Sequence, residues 1–228
     1  MANGGRATAH PSPTAAPAKC ATCESLQLAA PACTDCHELL AHVQGADYFE
    51  LFGLPRTYDL DPSDLSARRL AISRNIHPDR FANSPAEMQS LSLRLSAAVN
   101  KAFDVLKEPH QRAAYLLELA GGKSAAEDKR VPPDLLGQVM LLREEIEEAK
   151  SSRDEAAIGR IRESVTRQAE QTQARIAILC RGLSSAGEQS KDELRVQLNA
   201  MKYFTNLMEQ LGPSPVGRES LTQGGRTA

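Results

Sequence analysis

Leu65-Ser-Ala-Arg-Arg-Leu-Ala-Ile-Ser-Arg-Asn-Ile76, followed at once by His77-Pro78-Asp79, is the stretch that decides how this chain folds. Leu65, Ile72 and Ile76 fall at helical spacing and mark an apolar stripe, which Arg69 interrupts and from which Arg68 and Arg74 lie aside. Pro78 lacks a backbone donor and pushes His77 out of the helical region. The helix must therefore stop there and present His77 and Asp79 on an exposed loop. Helical pattern resumes near Pro85-Ala-Glu, with Leu91, Leu95, Ala98, Ala102, Val105 and Leu106 at spacings mostly of three and four. Two antiparallel helices joined by a loop are expected.

The flanks give this hairpin its context. Upstream, Asp47-Tyr-Phe-Glu-Leu-Phe-Gly-Leu-Pro55 reads as a short apolar helix ending at a glycine and a proline, and downstream Asn100-Lys-Ala-Phe-Asp-Val-Leu-Lys-Glu-Pro109 closes the long helix. Residues 47–119 resemble a J-domain, the DnaJ-type module. The resemblance implies that His77, Pro78 and Asp79, with Arg68 and Arg74 of the preceding helix, contact a DnaK-type chaperone and accelerate its ATP hydrolysis. Taken without that context, the same residues describe only a helix-stop loop beside a solvated basic face.

Further towards the N-terminus, Cys20-Ala-Thr-Cys23 and Cys33-Thr-Asp-Cys36 are two CxxC knuckles separated by nine residues. Four thiolates from two tight turns can converge on one tetrahedral zinc. A free dithiol pair or two disulfides is the competing reading, but no secretory signal is evident and structural disulfides are rare in reducing compartments. His37 and His42 lie near enough to substitute for a cysteine, although a four-sulfur set needs no fifth ligand. With four protein ligands, no coordination position is left for water or substrate, so the expected role is structural. Cys180, near the end of an apolar stripe, reads as a small buried hydrophobe.

Residues 1–19 are rich in Ala, Pro, Gly, Ser and Thr and contain no acid, which reads as a disordered tail. Residues 20–42 form the tetracysteine segment, 120–133 a linker with paired glycines and prolines, and 212–228 a second disordered tail. Within that linker Gly121-Gly-Lys-Ser124 ends like a phosphate loop, but it lacks the upstream glycine spacing and follows a helix.

Residues 134–211 read as a bundle of three antiparallel helices. The first, from Asp134 to about Ser151, carries Leu135, Val139, Leu142, Ile146 and Ala149 as a core stripe, with Leu136, Met140 and Leu141 beside it. The second runs from about Asp154 to Arg181, with Ile158, Ile161, Val165, Ala169, Thr172, Ile176 and Leu179 in the same pattern. The third, about Ser190 to Leu211, has Leu194, Leu198, Met201, Met208 and Leu211 as core, with Val196, Tyr203, Phe204 and Leu207 on further faces. Surplus apolar area of this kind marks either a partner site or a better-filled core.

Taken together, the tetracysteine segment, the His77-Pro-Asp module, the Pro132-Pro133 break and Leu136-Gly-Gln-Val-Met-Leu-Leu-Arg-Glu-Glu-Ile-Glu-Glu148 are similar to the HscB family, J-protein co-chaperones of iron-sulfur cluster assembly. The resemblance spans about residues 20–211 and implies an all-α fold with a zinc-binding knuckle segment, a helical J-domain and a C-terminal three-helix bundle. It also implies that Leu136, Met140, Glu144 and Phe204 face an IscU-type iron-sulfur scaffold, and that a DnaK/HscA-type ATPase is the other partner. Gly137 departs from the larger apolar residue common at its position in the family.

A formal net charge of -2 argues against general nucleic-acid binding, and no run approaches the roughly 18 apolar residues of a membrane span. No nucleophile-base pair stands out, so no enzymatic activity is expected. With neither a span nor a secretory signal in view, a soluble intracellular protein is expected; the bacterial cytoplasm is the expected compartment, and the acid-free N-terminus allows the mitochondrial matrix as an alternative. A generic J-domain co-chaperone with another client, a redox dithiol enzyme and a nucleic-acid-binding zinc module are the competing classes.

Overall fold

The computed structural model describes residues 18–27, 31–33, 35–40 and 46–212. The expected tails before residue 18 and after 212, and His42, lie outside the described residues. The chain divides between Leu119 and Ala120 into two compact units. Among the described residues no helix is long and apolar enough to cross a membrane.

In the first unit, β1 (Ala18–Lys19) and β2 (Leu26–Gln27) form a two-residue antiparallel ribbon. The rest is helical. α1 (Tyr48–Leu51) is short enough to need its cap. The Asp47 carboxylate accepts the Phe49 and Glu50 N–H groups at 2.8 and 2.9 Å, and Glu50 takes the Asp47 N–H at 2.9 Å, a reciprocal capping box. Gly53, at φ +60, ends the turn in the left-handed region that suits glycine.

α2 (Pro62–Ile76) starts with Asp61 as N-cap and Pro62 at the first helical position, where its missing N–H costs nothing. α3 (Ala86–Lys107) runs back against it. Their register is antiparallel, since Arg69 donates to Asn100 at 3.3 Å while the Ile76 carbonyl at the other end of α2 meets Ser92. Leu65, Ile76, Leu91, Leu95, Val99, Ala102 and Leu106 are buried between and beside them. Ile72 is only half-buried. Arg69, the interruption in the stripe, lies at the helix seam with its guanidinium 4.5 Å from the centre of the Phe103 ring.

α3 closes where the Glu108-Pro109 signal puts its end. Glu108 leaves the helical region and Pro109 opens a further helix, α4 (Pro109–Leu119). Buried Arg112 donates to the Leu106 carbonyl at 2.6 Å, satisfying one of the orphan acceptors at the end of α3.

The second unit is an antiparallel bundle of α5 (Leu135–Ser151), α6 (Glu155–Arg181) and α7 (Glu188–Leu211). One core joins Leu135, Val139, Ile146 and Ala149 of α5 to Ile161 and Val165 of α6 and to Ala200, Phe204, Leu207 and Leu211 of α7. Here the sequence reading needs correction. Phe204 and Leu207, expected off the core stripe of α7, are 4% and 0% exposed, whereas Met208 is half-buried. α7 packs on both α5 and α6, so it buries two adjoining stripes where periodicity alone supplies one.

Residues 120–133, whose glycines and prolines suggest a loose connection, are tied to α7. Asn199 donates to the Asp128 and Arg130 carbonyls at 2.9 and 2.8 Å. Asp192 pairs with Lys123 and Arg130, each at 2.9 Å. Lys123, the lysine of the apparent phosphate-loop ending, is thus engaged with a carboxylate. Asp128 is buried, and the Arg130 side chain and N–H hold its carboxyl well below the usual carboxylate range.

Candidate docking sites and metal centre

The tip between α2 and α3 is shaped by the need to satisfy the carbonyls at the end of α2. His77 departs from helical geometry at φ -60, ψ 131, and Pro78–Phe81 form one 3-10 turn. Arg80 donates to the Arg74 carbonyl and to the Asn75 side-chain oxygen, both at 3.3 Å. The Ile76 carbonyl accepts hydroxyls from α3, Ser92 at 2.6 Å and Ser96 at 3.3 Å. Leaving such a buried acceptor unpaired costs about 1–3 kcal/mol, so the serines fix where the helix ends.

Beyond that anchor the tip is open. The side chains of His77 and Asp79 are 57% and 89% exposed. Nδ1 of His77 accepts the Asp79 N–H at 3.3 Å, and the Asp79 carboxylate lies 3.5 Å from the same nitrogen. One nitrogen cannot accept from the N–H and donate to the carboxylate together. With the Asp79 N–H directed at Nδ1, Nε2 is the ring nitrogen left for a partner.

The two arginines singled out beside the tip differ. Arg68 donates through Nε to Asp64 at 2.8 Å and through one terminal nitrogen to the Phe52 and Gly53 carbonyls at 3.2 and 3.4 Å. It ties α2 to the end of α1. Arg74 is exposed in the last turn of α2. The roles of Ser92, Ser96 and Arg80 are not apparent from an apolar pattern. The one sequence clue is that Ser92 stands at core spacing, seven residues before Val99.

On α5 the apolar surplus faces water. Leu136, Met140 and Leu141 are 52%, 64% and 62% exposed, while Leu135, Val139, Ile146 and Ala149 fill the core. Glu144 is exposed on the same outer side, with Glu145, Glu147 and Glu148 near it. The better-filled-core reading fails for Leu136 and Met140 and holds for Phe204. Phe204 therefore belongs to the layer beneath the exposed face. A groove of about 390 Å³ between α5 and α6 borders the acidic side, lined by Glu145, Glu148, Asp154 and Arg160 over Ala149 and Ile161.

The tetracysteine segment is the same turn made twice. In the first knuckle the Cys20 N–H donates to the Ser25 carbonyl and the Glu24 N–H to the Cys20 carbonyl, both at 2.9 Å. In the second, Cys33 and Glu38, then His37 and Cys33, repeat the pattern at 2.8 and 3.1 Å. Glu24 and His37 occupy equivalent left-handed positions at φ 59 and 61. His37 thus serves the turn through its backbone, and it is not one of the four clustered ligand residues.

The two turns bring Cys20, Cys23, Cys33 and Cys36 together, with all four sulfurs within 4.8 Å of one another. Cys20 and Cys36, and Cys23 and Cys33, approach to 3.5 Å. A tetrahedral metal with bonds near 2.3 Å to sulfur needs sulfurs about 3.8 Å apart, so the donor set fits such an ion. The Cys36 N–H and the Ser25 hydroxyl bring Cys33 down to about 6. Cys36 is pushed up to about 12, because burial and the neighbouring thiols outweigh the Glu38 N–H that favours its thiolate. A bound cation removes that mutual repulsion. Cys180 is buried on α6, away from this set in sequence and in a different compact unit.

Known proteins resemble the chain in both halves. A family model described as the HSCB C-terminal oligomerisation domain matches residues 131–212. A curated relative, the co-chaperone protein HscB homolog of Azoarcus sp. (strain BH72), is 41% identical over 107 residues, which are 46% of this chain and 60% of the relative. The matched stretch thus spans about 60% of that relative's length. Among solved structures, chaperone HscB from Vibrio cholerae is 31% identical, with 72% of this chain and 94% of that chain covered and a TM-score of 0.61. Human co-chaperone protein HscB is 25% identical, with 85% and 96% covered and a TM-score of 0.68. With a three-helix bundle matched by its own family model and nearly the whole of a bacterial HscB superposed at that identity, this chain belongs to the HscB family of co-chaperones.

Proposed function

We propose that the chain is an adaptor in iron-sulfur cluster biogenesis, holding an IscU-type scaffold on α5 and stimulating ATP hydrolysis by a DnaK/HscA-type chaperone through the His77 tip. The observation that carries this reading is the exposed apolar face of Leu136 and Met140, opposite the core side of α5 and within the stretch matched to the HscB C-terminal domain. Apolar groups held at half exposure or more on a rigid helix favour a partner that removes them from water. Glu144 adds charge selectivity at their edge, and Phe204 supports the face from the core.

The other site suits a polar partner. His77, Pro78 and Asp79 offer Nε2 and a carboxylate on a fixed turn, Arg74 supplies exposed positive charge in the last turn of α2, and Arg68, paired with Asp64, holds that helix to the end of α1. No bond is made or broken on this chain, and the nucleotide site belongs to the chaperone. By holding both partners the adaptor presents the scaffold to the chaperone as the ATP is spent, which favours cluster transfer to acceptors. Zinc fits the Cys20, Cys23, Cys33 and Cys36 set, and its role is structural: four thiolates complete the coordination and fasten two knuckles in a segment too short to build a core of its own. The setting we propose is the bacterial cytoplasm, without nucleic-acid or membrane partners.

The deciding experiment is ATP turnover by the host's DnaK/HscA-type chaperone with this protein, with and without the scaffold. Stimulation by both together beyond the sum of each alone is the expected result. Stimulation indifferent to the scaffold would instead identify a J-domain co-chaperone with a different client.

A further inference from the structure

Ser25 does more at the tetracysteine cluster than close a turn. Its carbonyl accepts the Cys20 N–H at 2.9 Å, and its own N–H is directed at the Cys23 sulfur. Glu38 repeats both contacts in the second knuckle, towards Cys33 and Cys36. The two positions part at the side chain. The Ser25 hydroxyl lies 3.1 Å from Cys23 Sγ and 3.3 Å from Cys33 Sγ, one sulfur from each knuckle. Glu38 carries a carboxylate, which accepts hydrogen bonds and has none to give. A sulfur that ligates a metal is a thiolate and only accepts, so the Ser25 hydroxyl is the donor in both of its contacts.

We propose that Ser25 is a positioning residue of the metal centre, its hydroxyl bridging Cys23 and Cys33 across the seam between the knuckles and so governing how tightly the set retains its ion. This rests on the metal-centre reading above. Four thiolates carry more charge than the divalent ion they hold, and donors to sulfur disperse the excess. The hydroxyl does this for one sulfur of each knuckle. It also spans the seam directly: Cys23 and Cys33 stand 3.5 Å apart with the hydroxyl against both. A ligand pair held in advance loses less freedom on binding. Ser25 is half-buried beside the exposed Cys23, so its side chain also shields that sulfur from competing ligands in water.

Competition for zinc between the reduced full-length protein and a chromophoric chelator tests the assignment. Ser25→Ala is expected to hold its zinc roughly ten- to a hundredfold more weakly, the usual scale for losing an outer-shell hydrogen bond. Ser25→Thr, which keeps the hydroxyl, is expected to stay within about threefold of the parent. Loading with cobalt(II) gives a second readout that lost folding would not mimic. The sulfur-to-cobalt charge-transfer band of Ser25→Ala should move to longer wavelength, because a thiolate deprived of a donor gives up its electron more readily, and that of Ser25→Thr should stay in place. Parental affinity or an unmoved band in Ser25→Ala overturns the proposal, as does a Ser25→Thr protein as weak as Ser25→Ala. In each of those cases a parent that binds zinc keeps the metal-centre reading and only the role of Ser25 falls. A parent that takes up no zinc removes both.

Discussion

The His77 tip and the α5 face are held in place by opposite means. The tip is a short polar turn whose position depends on hydrogen bonds from residues far along the chain, Ser92 and Ser96 to the Ile76 carbonyl. The α5 face depends on nothing of its own: its apolar groups project from a helix that Leu135, Val139, Ile146 and Ala149 already fix by burial. A polar docking element therefore needs its own satisfied anchors, because a turn has no core to hold it. An apolar one needs only the reverse side of a buried helix, but it exposes groups such as Met140 at 64%. The two sites should accordingly be separable by mutation, each lost without the other.

The sharpest break is His77→Gln. Glutamine keeps a hydrogen-bonding side chain but not the imidazole Nε2 geometry, and its site is exposed. Chaperone stimulation should fall to the unstimulated rate while scaffold affinity stays within twofold, measured by ATP turnover and calorimetry on the same preparation. Next in size is Leu136→Ala combined with Met140→Ala, which should weaken scaffold binding by roughly ten- to a hundredfold and leave scaffold-free stimulation intact. Both side chains are at least half exposed, so thermal stability should move little. Loss of both activities in either variant would show that the sites are not independent.

The smallest effect on both activities is expected from Cys33→Ser with Cys36→Ser. Zinc content should drop from one equivalent to none, and proteolysis near residues 20–40 should speed up, while the second unit keeps its melting transition. Equal zinc in variant and parent would remove the metal-centre reading.

Much of this was legible in the sequence because the signals are local. Pro78 ends α2 by its own chemistry, the CxxC spacing places two sulfurs on each turn, and α5 and α6 begin and end within a residue of where caps and periodicity put them. What escaped was set by tertiary neighbours. Phe204 and Leu207 read as surplus because the count assumed one facing helix, whereas α7 has two. Residues 120–133 read as a linker because composition cannot reveal that Asn199 will hold their carbonyls. Arg68 is expected only as a chaperone contact, and nothing in the pattern shows that its guanidinium also bonds Asp64 and the Phe52 carbonyl at the end of α1.

The Ser92 and Ser96 hydroxyls have one more consequence, for how this region can vary. They fasten the end of α2 directly to α3, so the geometry of His77 does not rely on the length of chain between Phe81 and Pro85. Residues 82 and 83 are exposed, and insertions in such a segment are tolerated when the elements on both sides are pinned independently. Lengthening or recolouring that loop is therefore expected to leave the tripeptide where the helix pair puts it.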